Sequence, residues 1–339
     1  MGWSEVVGQP VAVRLLRGAV AAGRVAHAYL FSGPEGTGRR TAARVLAKAL
    51  GCEAPPVPGD ACDRCRHCTR VDRGVHENVL VVEPRGREIR LWQVVHREES
   101  DRQGAVPLSD FLVVRPAEGA RKVVIVDGAE TLNPEAANSL LKSLEEPPPY
   151  AHILLLTANP AAVLPTIRSR CQTVQFAPIA PGVIEAALRD EGVQAEAARL
   201  AAALAGGSLG RARALVKDEA LLRRRQEVGE LLAEVPRRDD AWRLARAEEL
   251  DQRREELPAV LDLMVLWLRD AMVVAEGGRA PGDPAQADDP TGRILTDLVR
   301  WGRERLIRGL EAVEAARGQL DRNANPRLVL DVLLLRLGA

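Results

Sequence analysis

Val123-Val124-Ile125-Val126 is an unbroken β-branched run that ends on an aspartate, Asp127. Such a run fits a strand buried on both faces, the condition of parallel strands covered by helices. Asn133 then reads as an N-cap with Pro134 at the first helical position. The helix is expected to continue through Glu146, where Pro147-Pro148-Pro149 stops it. A second buried run, Ile153-Leu154-Leu155-Leu156, is followed by the polar residues Thr157 and Asn159. This strand–helix–strand unit predicts an α/β fold. It delivers Asp127 to the carboxyl edge of a parallel sheet, where open α/β sheets bind ligands.

A second strand-to-helix unit lies nearer the N-terminus. The strand ending at Phe31 runs into Gly33-Pro34-Glu35-Gly36-Thr37-Gly38-Arg39-Arg40-Thr41 and then a helix from Ala42 to Leu50. Gly33, Gly36 and Gly38 let backbone N–H groups close around phosphates, and the helix N-terminus adds positive potential, so the layout is that of a P-loop. The pattern GxxxxGK[ST] is met in its glycines and broken at its two chemical positions. Arg39 stands where a lysine reaches the β- and γ-phosphates, and its planar fork does not reproduce a compact ammonium. Arg40 stands where a hydroxyl binds magnesium, and Thr41 comes one place late for that role. The sequence predicts a P-loop fold without competent hydrolysis and leaves open whether nucleotide still binds. Upstream, Trp3 to Ala28 predicts a short turn and an amphipathic helix.

Cys52, Cys62, Cys65 and Cys68 follow, spaced C-x9-C-x2-C-x2-C. Four thiolates can close a tetrahedral zinc shell and leave no open position for a catalytic water, so the expected metal is structural. The alternative is four unrelated buried thiols. His67 is left out because four sulfurs fill the shell, and Cys171 lies too far along the chain. Val79 to Glu83 predicts another strand and Leu91 to Gln103 a helix. Phe111 to Val114 is an apolar run ahead of the central strand, which completes a β/α alternation. Arg85, Arg87 and Arg90 form a small basic group that reads as a solvated face.

These features resemble the AAA+ clamp-loader ATPases of bacterial DNA replication. Leu140-Leu141-Lys142-Ser143-Leu144-Glu145-Glu146-Pro147-Pro148 resembles that family's LLKxLEEPP signature, and Ser169-Arg170-Cys171 resembles its SRC motif. Ala26-His27-Ala28-Tyr29-Leu30-Phe31 is similar to its HAYLF strand, where His27 reads as structural. Val6-Val7-Gly8-Gln9 is similar to the stretch that packs near adenine. Asn323-Ala324-Asn325-Pro326-Arg327-Leu328 resembles the NxNPRL entry to the last helix of the collar.

The resemblance covers nearly the whole chain and implies an α/β region followed by an all-α one. An AAA+ P-loop parallel-sheet domain would span residues 1–177, with a zinc module inserted at about 52–68. A small helical lid would span 178–215, and a helical collar that oligomerises would span 216–339. Asp127 would be the Walker B aspartate. Hydrolysing relatives carry a glutamate next, but here that residue is Gly128, and Glu130 is not expected to substitute. Thr157 and Asn159 fall in the sensor region that faces a γ-phosphate, with capping of the strand end an equal alternative. Arg211, in Gly206-Gly207-Ser208-Leu209-Gly210-Arg211, falls at the sensor 2 position of the lid. Arg170 would act in trans as an arginine finger on a neighbour's ATP. Without its flanking motifs it would read as an ordinary surface ion pair.

From about Val216 the chain reads as helical, with Leu-rich periodic segments at 257–275, 294–317 and 326–337 and a Pro/Gly/Asp loop between Glu276 and Gly292. Lys+Arg and Asp+Glu are both 47 of 339 residues, so any DNA contact must come from a local patch or from partners. No apolar run reaches the roughly 18–20 residues of a membrane span. The start lacks the regions of a signal peptide, and clustered cysteines suit a reducing compartment, so a cytoplasmic protein is expected.

Within the family, the hydrolysing subunit keeps a Lys-[ST] P-loop and an Asp-Glu pair, and Arg39-Arg40 and Asp127-Gly128 depart from both. The implied role is a non-hydrolysing member of a five-subunit ring with gamma/tau ATPase and delta subunits. ATP would sit at the neighbour's site, and the complex would load the beta sliding clamp onto primed DNA. An active AAA+ ATPase is the competing enzyme reading, and Arg39, Arg40 and Gly128 count against it. A zinc-dependent nucleic-acid-binding protein is the third reading. Zero net charge and the absence of a basic, aromatic-bearing stripe around the cysteines count against that.

Overall fold

The computed structural model describes residues 2–116, 120–218, 220–278, 290–322 and 324–339. Most of the expected loop between Glu276 and Gly292 lies outside these residues, as does Asn323. The chain forms two compact units. One comprises Met1–Ala187 and Gly206–Arg211, the other Leu188–Ala205 and Ala212–Ala339. Residues of the expected lid are therefore shared between the two.

The first unit is built on five parallel strands: β1 (Ala28–Ser32), β2 (Val79–Val82), β3 (Lys122–Asp127), β4 (Ala151–Thr157) and β5 (Gln172–Gln175). Their order is β2-β3-β4-β1-β5. Every residue of β1 and β4 is buried, and β3 is buried up to Asp127. The pleat explains the unbroken apolar runs. Tyr29, Phe31, Val123, Ile125, Leu154 and Leu156 join one core with Val45 and Leu46 of the helix Arg39–Leu50. Leu30, Val124, Val126, Ile153 and Leu155 join the other with Leu140 and Leu144 of the helix Pro134–Glu145. Each such side chain contributes about 1.5–3 kcal/mol by leaving water. The register pairs Ser32 with Thr157 and Asp127 with Leu156, so the carboxyl ends of β1, β3 and β4 finish level.

Asn133 caps the helix Pro134–Glu145 by accepting from the Ala136 N–H at 2.8 Å, as the sequence predicts. That helix ends one residue before Glu146, which is its C-cap. Where one helix is expected over Leu91–Gln103, two short ones form, Leu91–Val94 and Glu98–Arg102, separated by extended Val95. The buried Ser100 hydroxyl stitches the break, donating to the Trp92 carbonyl at 2.7 Å and accepting from the Arg97 N–H at 3.2 Å. The apolar run from Phe111 falls mostly in a helix, Leu108–Val113. No helix among the described residues is long and apolar enough to cross a membrane.

The second unit is helical throughout its described elements, and its core gathers on the helix Leu257–Ala275 through Leu261, Met264, Trp267, Leu268 and Ala271. The periodic run 294–317 divides into the helices Pro290–Val299 and Arg303–Asp321. Trp267 donates its indole N–H to the Arg225 carbonyl at 2.8 Å, and the Arg225 guanidinium lies 4.6 Å from the ring centroid. Arg225 also reaches Asp270, but only at 3.5 Å. Burial therefore prevails over the nearby Arg225 charge and pushes the Asp270 carboxyl up to about 6.

An acid whose folded value is raised above its unfolded one stabilises the fold at low pH and loses that contribution as pH climbs through the folded value. The stability that Asp270 contributes is thus expected to fall between about pH 4 and about pH 6. Urea unfolding midpoints across that window should decline more steeply in the native chain than in Asp270→Asn. Identical slopes would show that Asp270 does not titrate with folding.

Candidate functional site

The loop between β1 and the helix Arg39–Leu50 is braced from beneath. The Gln9 side chain, 4% exposed, donates to the Thr37 carbonyl at 3.2 Å and to the Ala177 carbonyl at 2.7 Å. Its oxygen accepts from the Ala177 N–H at 3.1 Å, so one buried amide ties the loop to the chain beyond β5. The sequence reading gave Gln9 no such role. Its only signal was an amide in an otherwise apolar segment. Thr37 closes the turn by donating to the Pro34 carbonyl at 2.7 Å. Gly33 and Gly38 flank the crest, and Gly36 forms it with φ +71°. A Cβ at Gly36 would come 2.1 Å from the Ser208 hydroxyl, and the Gly210 N–H donates to the Gly36 carbonyl at 3.3 Å. Exposed Arg211 follows in that turn, its own N–H donating to the Ser208 hydroxyl at 3.1 Å.

Arg39, Arg40 and Thr41 occupy the first turn of the helix. Arg39 is half-buried, and burial lowers its affinity for a proton against the opposing pull of Glu130, Asp127 and Glu35. Arg40 turns to the sheet edge, with one guanidinium nitrogen 2.5 Å from Glu83 and 3.3 Å from Asp127. Burial pushes the Asp127 carboxyl above the ordinary aspartate range, with Arg40 and Arg39 pulling the other way. Gly128 follows with φ +85°, the left-handed region in which any side chain costs about 1–2 kcal/mol. Glu130 accepts from the Ala158 N–H at 2.9 Å, which holds its carboxylate against the end of β4.

Thr157 is fully buried at that end, and its hydroxyl accepts from the Asn159 N–H at 3.1 Å. The Asn159 side chain in turn accepts from the Ala161 N–H at 3.2 Å. These bonds cap the strand.

The structure thus brings the three loop glycines, Arg39, Thr41, Asp127 and Thr157 to one edge, with the Arg211 turn against Gly36. Arg170 stands elsewhere. It follows the short helix Pro165–Arg168, lies 2.6 Å from Glu145 and donates to the Thr166 carbonyl at 3.0 Å.

The four sulfurs of Cys52, Cys62, Cys65 and Cys68 lie within 4.8 Å of one another. A tetrahedral zinc with bonds of about 2.3 Å needs sulfurs about 3.8 Å apart, so the set fits this ion with a small contraction. The Cys62 N–H points at the Cys52 sulfur at 3.2 Å, Cys65 N–H at Cys62 at 3.3 Å and Cys68 N–H at Cys65 at 3.4 Å. Backbone N–H groups of Arg64 and Cys65 pull the Cys62 thiol down to about 6, which favours the ligating thiolate. Burial pushes Cys52 and Cys68 up, a cost that a bound cation offsets. His67 bonds the Ala47 carbonyl at 3.0 Å and lies edge-on to His76, outside the sulfur set. Cys171 packs on a sheet core, where burial raises its thiol to about 11.

Sequence reading missed Lys48. Its side chain is fully buried in the helix Arg39–Leu50, and its ammonium lies 2.9 Å from Glu5, 2.5 Å from Asp63 and 3.2 Å from Asp72. Burial alone would lower its pKa, but the bonds to these carboxylates win and raise it. Asp63, between the second and third cysteines, is in the left-handed region at φ 57° and also accepts from the Gly2 N–H at 2.5 Å. One cation therefore ties the loop helix to the N-terminal turn and the cysteine module. A lysine on a helix carries no such signal until the fold surrounds it.

This edge has the layout of a P-loop on a parallel sheet, with arginines at the lysine and hydroxyl positions of the pattern and a glycine after Asp127. Residues 8–180 match the family described as "DNA polymerase III, delta subunit". DNA polymerase III subunit delta' of Bacillus subtilis is 30% identical over 99% of this chain and 98% of its own length. The delta' subunit of Pseudomonas aeruginosa is 42% identical over 54% of this chain and 53% of its own. A gamma/tau subunit of Mycobacterium tuberculosis is 30% identical over 99% of this chain, which spans 60% of that longer protein. The chain belongs to the DNA polymerase III delta' family of clamp-loader subunits.

Two outcomes follow. Lys48→Met leaves Asp63 without its cation and Glu5 and Asp72 with Arg44 alone, and should destabilise the first unit by about 3 kcal/mol in denaturant unfolding. A loss below about 1 kcal/mol would mean that the carboxylates find water instead. Metal analysis of the purified chain should return one zinc, lost in Cys62→Ser, and a chelator should lower the melting temperature. A metal-free chain with an unchanged melting temperature would refute the zinc site.

Proposed function

We propose that this chain is the non-hydrolysing, delta'-type subunit of a clamp loader and that Arg170 acts on ATP held by a neighbouring ATPase subunit. The partners in this reading are gamma/tau and delta subunits in a five-subunit cytoplasmic ring. That ring opens the beta sliding clamp and releases it on primed DNA. The helical segment 216–339 serves as the collar through which the ring assembles, and 178–215 serves as the lid. Zinc on Cys52, Cys62, Cys65 and Cys68 is structural. The chain has no catalysis of its own, and any nucleotide at Gly33–Thr41, Asp127, Thr157 and Arg211 is held without turnover.

The observation that carries this reading is the contrast between two arginines. Arg40 pairs with Asp127 and Glu83 at the chain's own loop. Arg170 is 37% exposed, and its described partners, Glu145 and the Thr166 carbonyl, are outside that loop. An exposed ion pair is worth about 0–1 kcal/mol, so Glu145 holds Arg170 only weakly. A γ-phosphate approaching transition-state charge in a neighbour's dry site outbids it, and an arginine finger there is worth about 10³–10⁵ in rate. Glu145 belongs to the LLKSLEEPP segment, which gives that segment a role in parking the finger.

The test is ATP turnover by the reconstituted complex with clamp and primed DNA. Arg170→Ala should lower DNA-stimulated turnover while leaving ring assembly intact, by about 10³-fold or more at the one site it serves. Arg170→Lys should fail to restore it, because an ammonium lacks the fork. Full turnover in the assembled Arg170→Ala complex would overturn the proposal.

A further inference from the structure

The loop of a nucleotide-binding AAA+ domain implies a magnesium ion, and the residues of this chain do not fit one. The magnesium-binding hydroxyl is replaced by Arg40, and Thr41, one residue on, turns away by one helical step of about 100°. The two carboxylates that Arg40 reaches are Asp127, which ends β3, and Glu83, which follows β2. One nitrogen of Arg40 lies 2.5 Å from Glu83 and 3.3 Å from Asp127, so a single guanidinium bridges the adjacent strand ends.

Magnesium needs near-octahedral oxygen ligands at about 2.0–2.1 Å and does not tolerate a fixed positive charge among them. A guanidinium cannot be deprotonated to make room. Gly128 adds a second departure, since the residue after Asp127 offers no carboxylate to a metal-bound or attacking water.

We propose that Arg40 is a built-in replacement for the divalent cation: it neutralises Asp127 and Glu83 in the metal's place and makes this loop a site from which magnesium is excluded. The proposal rests on the reading of residues 33–41 as a degenerate nucleotide site and names what sets its ligand specificity. It also explains why the charged strand ends persist without a metal. Asp127 and Glu83 side by side repel, and Arg40 is the cation that offsets this. Glu130, Asp127 and Glu35 act on Arg39, and Asp127 and Glu83 pair with Arg40, so both loop arginines already face carboxylates at this edge.

Two arms test this on the intact chain with its zinc module loaded. In the first, manganese is the probe and its paramagnetic resonance signal reports bound ion without nucleotide. The native chain should take up no manganese beyond that of Asp127→Asn. Arg40→Ser should bind it at least about tenfold more tightly than the native chain, and Arg40→Ser with Asp127→Asn should not. Manganese bound to the native chain and lost in Asp127→Asn would overturn the proposal. So would an Arg40→Ser chain, folded by circular dichroism, that gains no ion.

In the second arm, a fluorescent ATP analogue is titrated with or without added magnesium in chelator-free, magnesium-depleted buffer. Arg40→Ser should gain affinity that requires magnesium, whereas the native chain should show no magnesium dependence. Failure of every variant to bind the analogue would sink the degenerate nucleotide-site reading, while the manganese arm still decides the role of Arg40. Magnesium-dependent binding by the native chain would sink the replacement itself.

Discussion

A buried ammonium must find its counter-charges within the protein, and Lys48 finds three: Glu5, Asp63 and Asp72. Those carboxylates come from the N-terminal turn, from between two cysteines of the sulfur cluster and from the end of the helix Arg66–Asp72. Arg44, one turn earlier, reinforces the arrangement through Glu5 at 2.8 Å. Trp3 adds its indole N–H to the Gly59 carbonyl at 2.7 Å. The cysteine module is therefore fastened to the helix that carries Arg39 and Arg40. That helix begins at the edge where the sheet presents Asp127.

The same edge keeps a P-loop layout while departing from its pattern at two positions. The parallel sheet still delivers Asp127 and Thr157 to the loop, and the loop still has its glycines. Arg40 closes the edge on itself with an ion pair to two strand ends, and Gly128 removes the water-activating carboxylate. In the proposed role, Arg170, which stands away from that edge beside Glu145, serves a neighbour instead.

Much of the first unit was legible in the sequence because burial on both faces leaves an unbroken apolar string. Val123–Val126 and Ile153–Leu156 marked β3 and β4, and Asn133-Pro134 marked a helix start that the structure forms with the expected cap. The cysteine spacing gave the sulfur cluster. Short-range signals failed where tertiary bonds decide. Ser100 breaks the helix expected from Leu91 by stitching to Trp92, and Gln9 and Lys48 acquire their roles only from partners far along the chain. Arg40 was read as standing in place of a magnesium-binding hydroxyl, and its ion pairs with Glu83 and Asp127 come from partners far along the chain. For Thr157, the described hydrogen bonds form the capping arrangement, one of the two readings the sequence left open.

The central claim is that this chain is not an ATPase, and steady-state ATP turnover by the pure chain, alone, with magnesium and primed DNA, tests it most directly. The account predicts no turnover above the buffer blank, in the native chain and in Asp127→Asn alike. Turnover that Asp127→Asn abolishes would contradict it, because Arg39, Arg40 and Gly128 would then have to support hydrolysis at the chain's own loop.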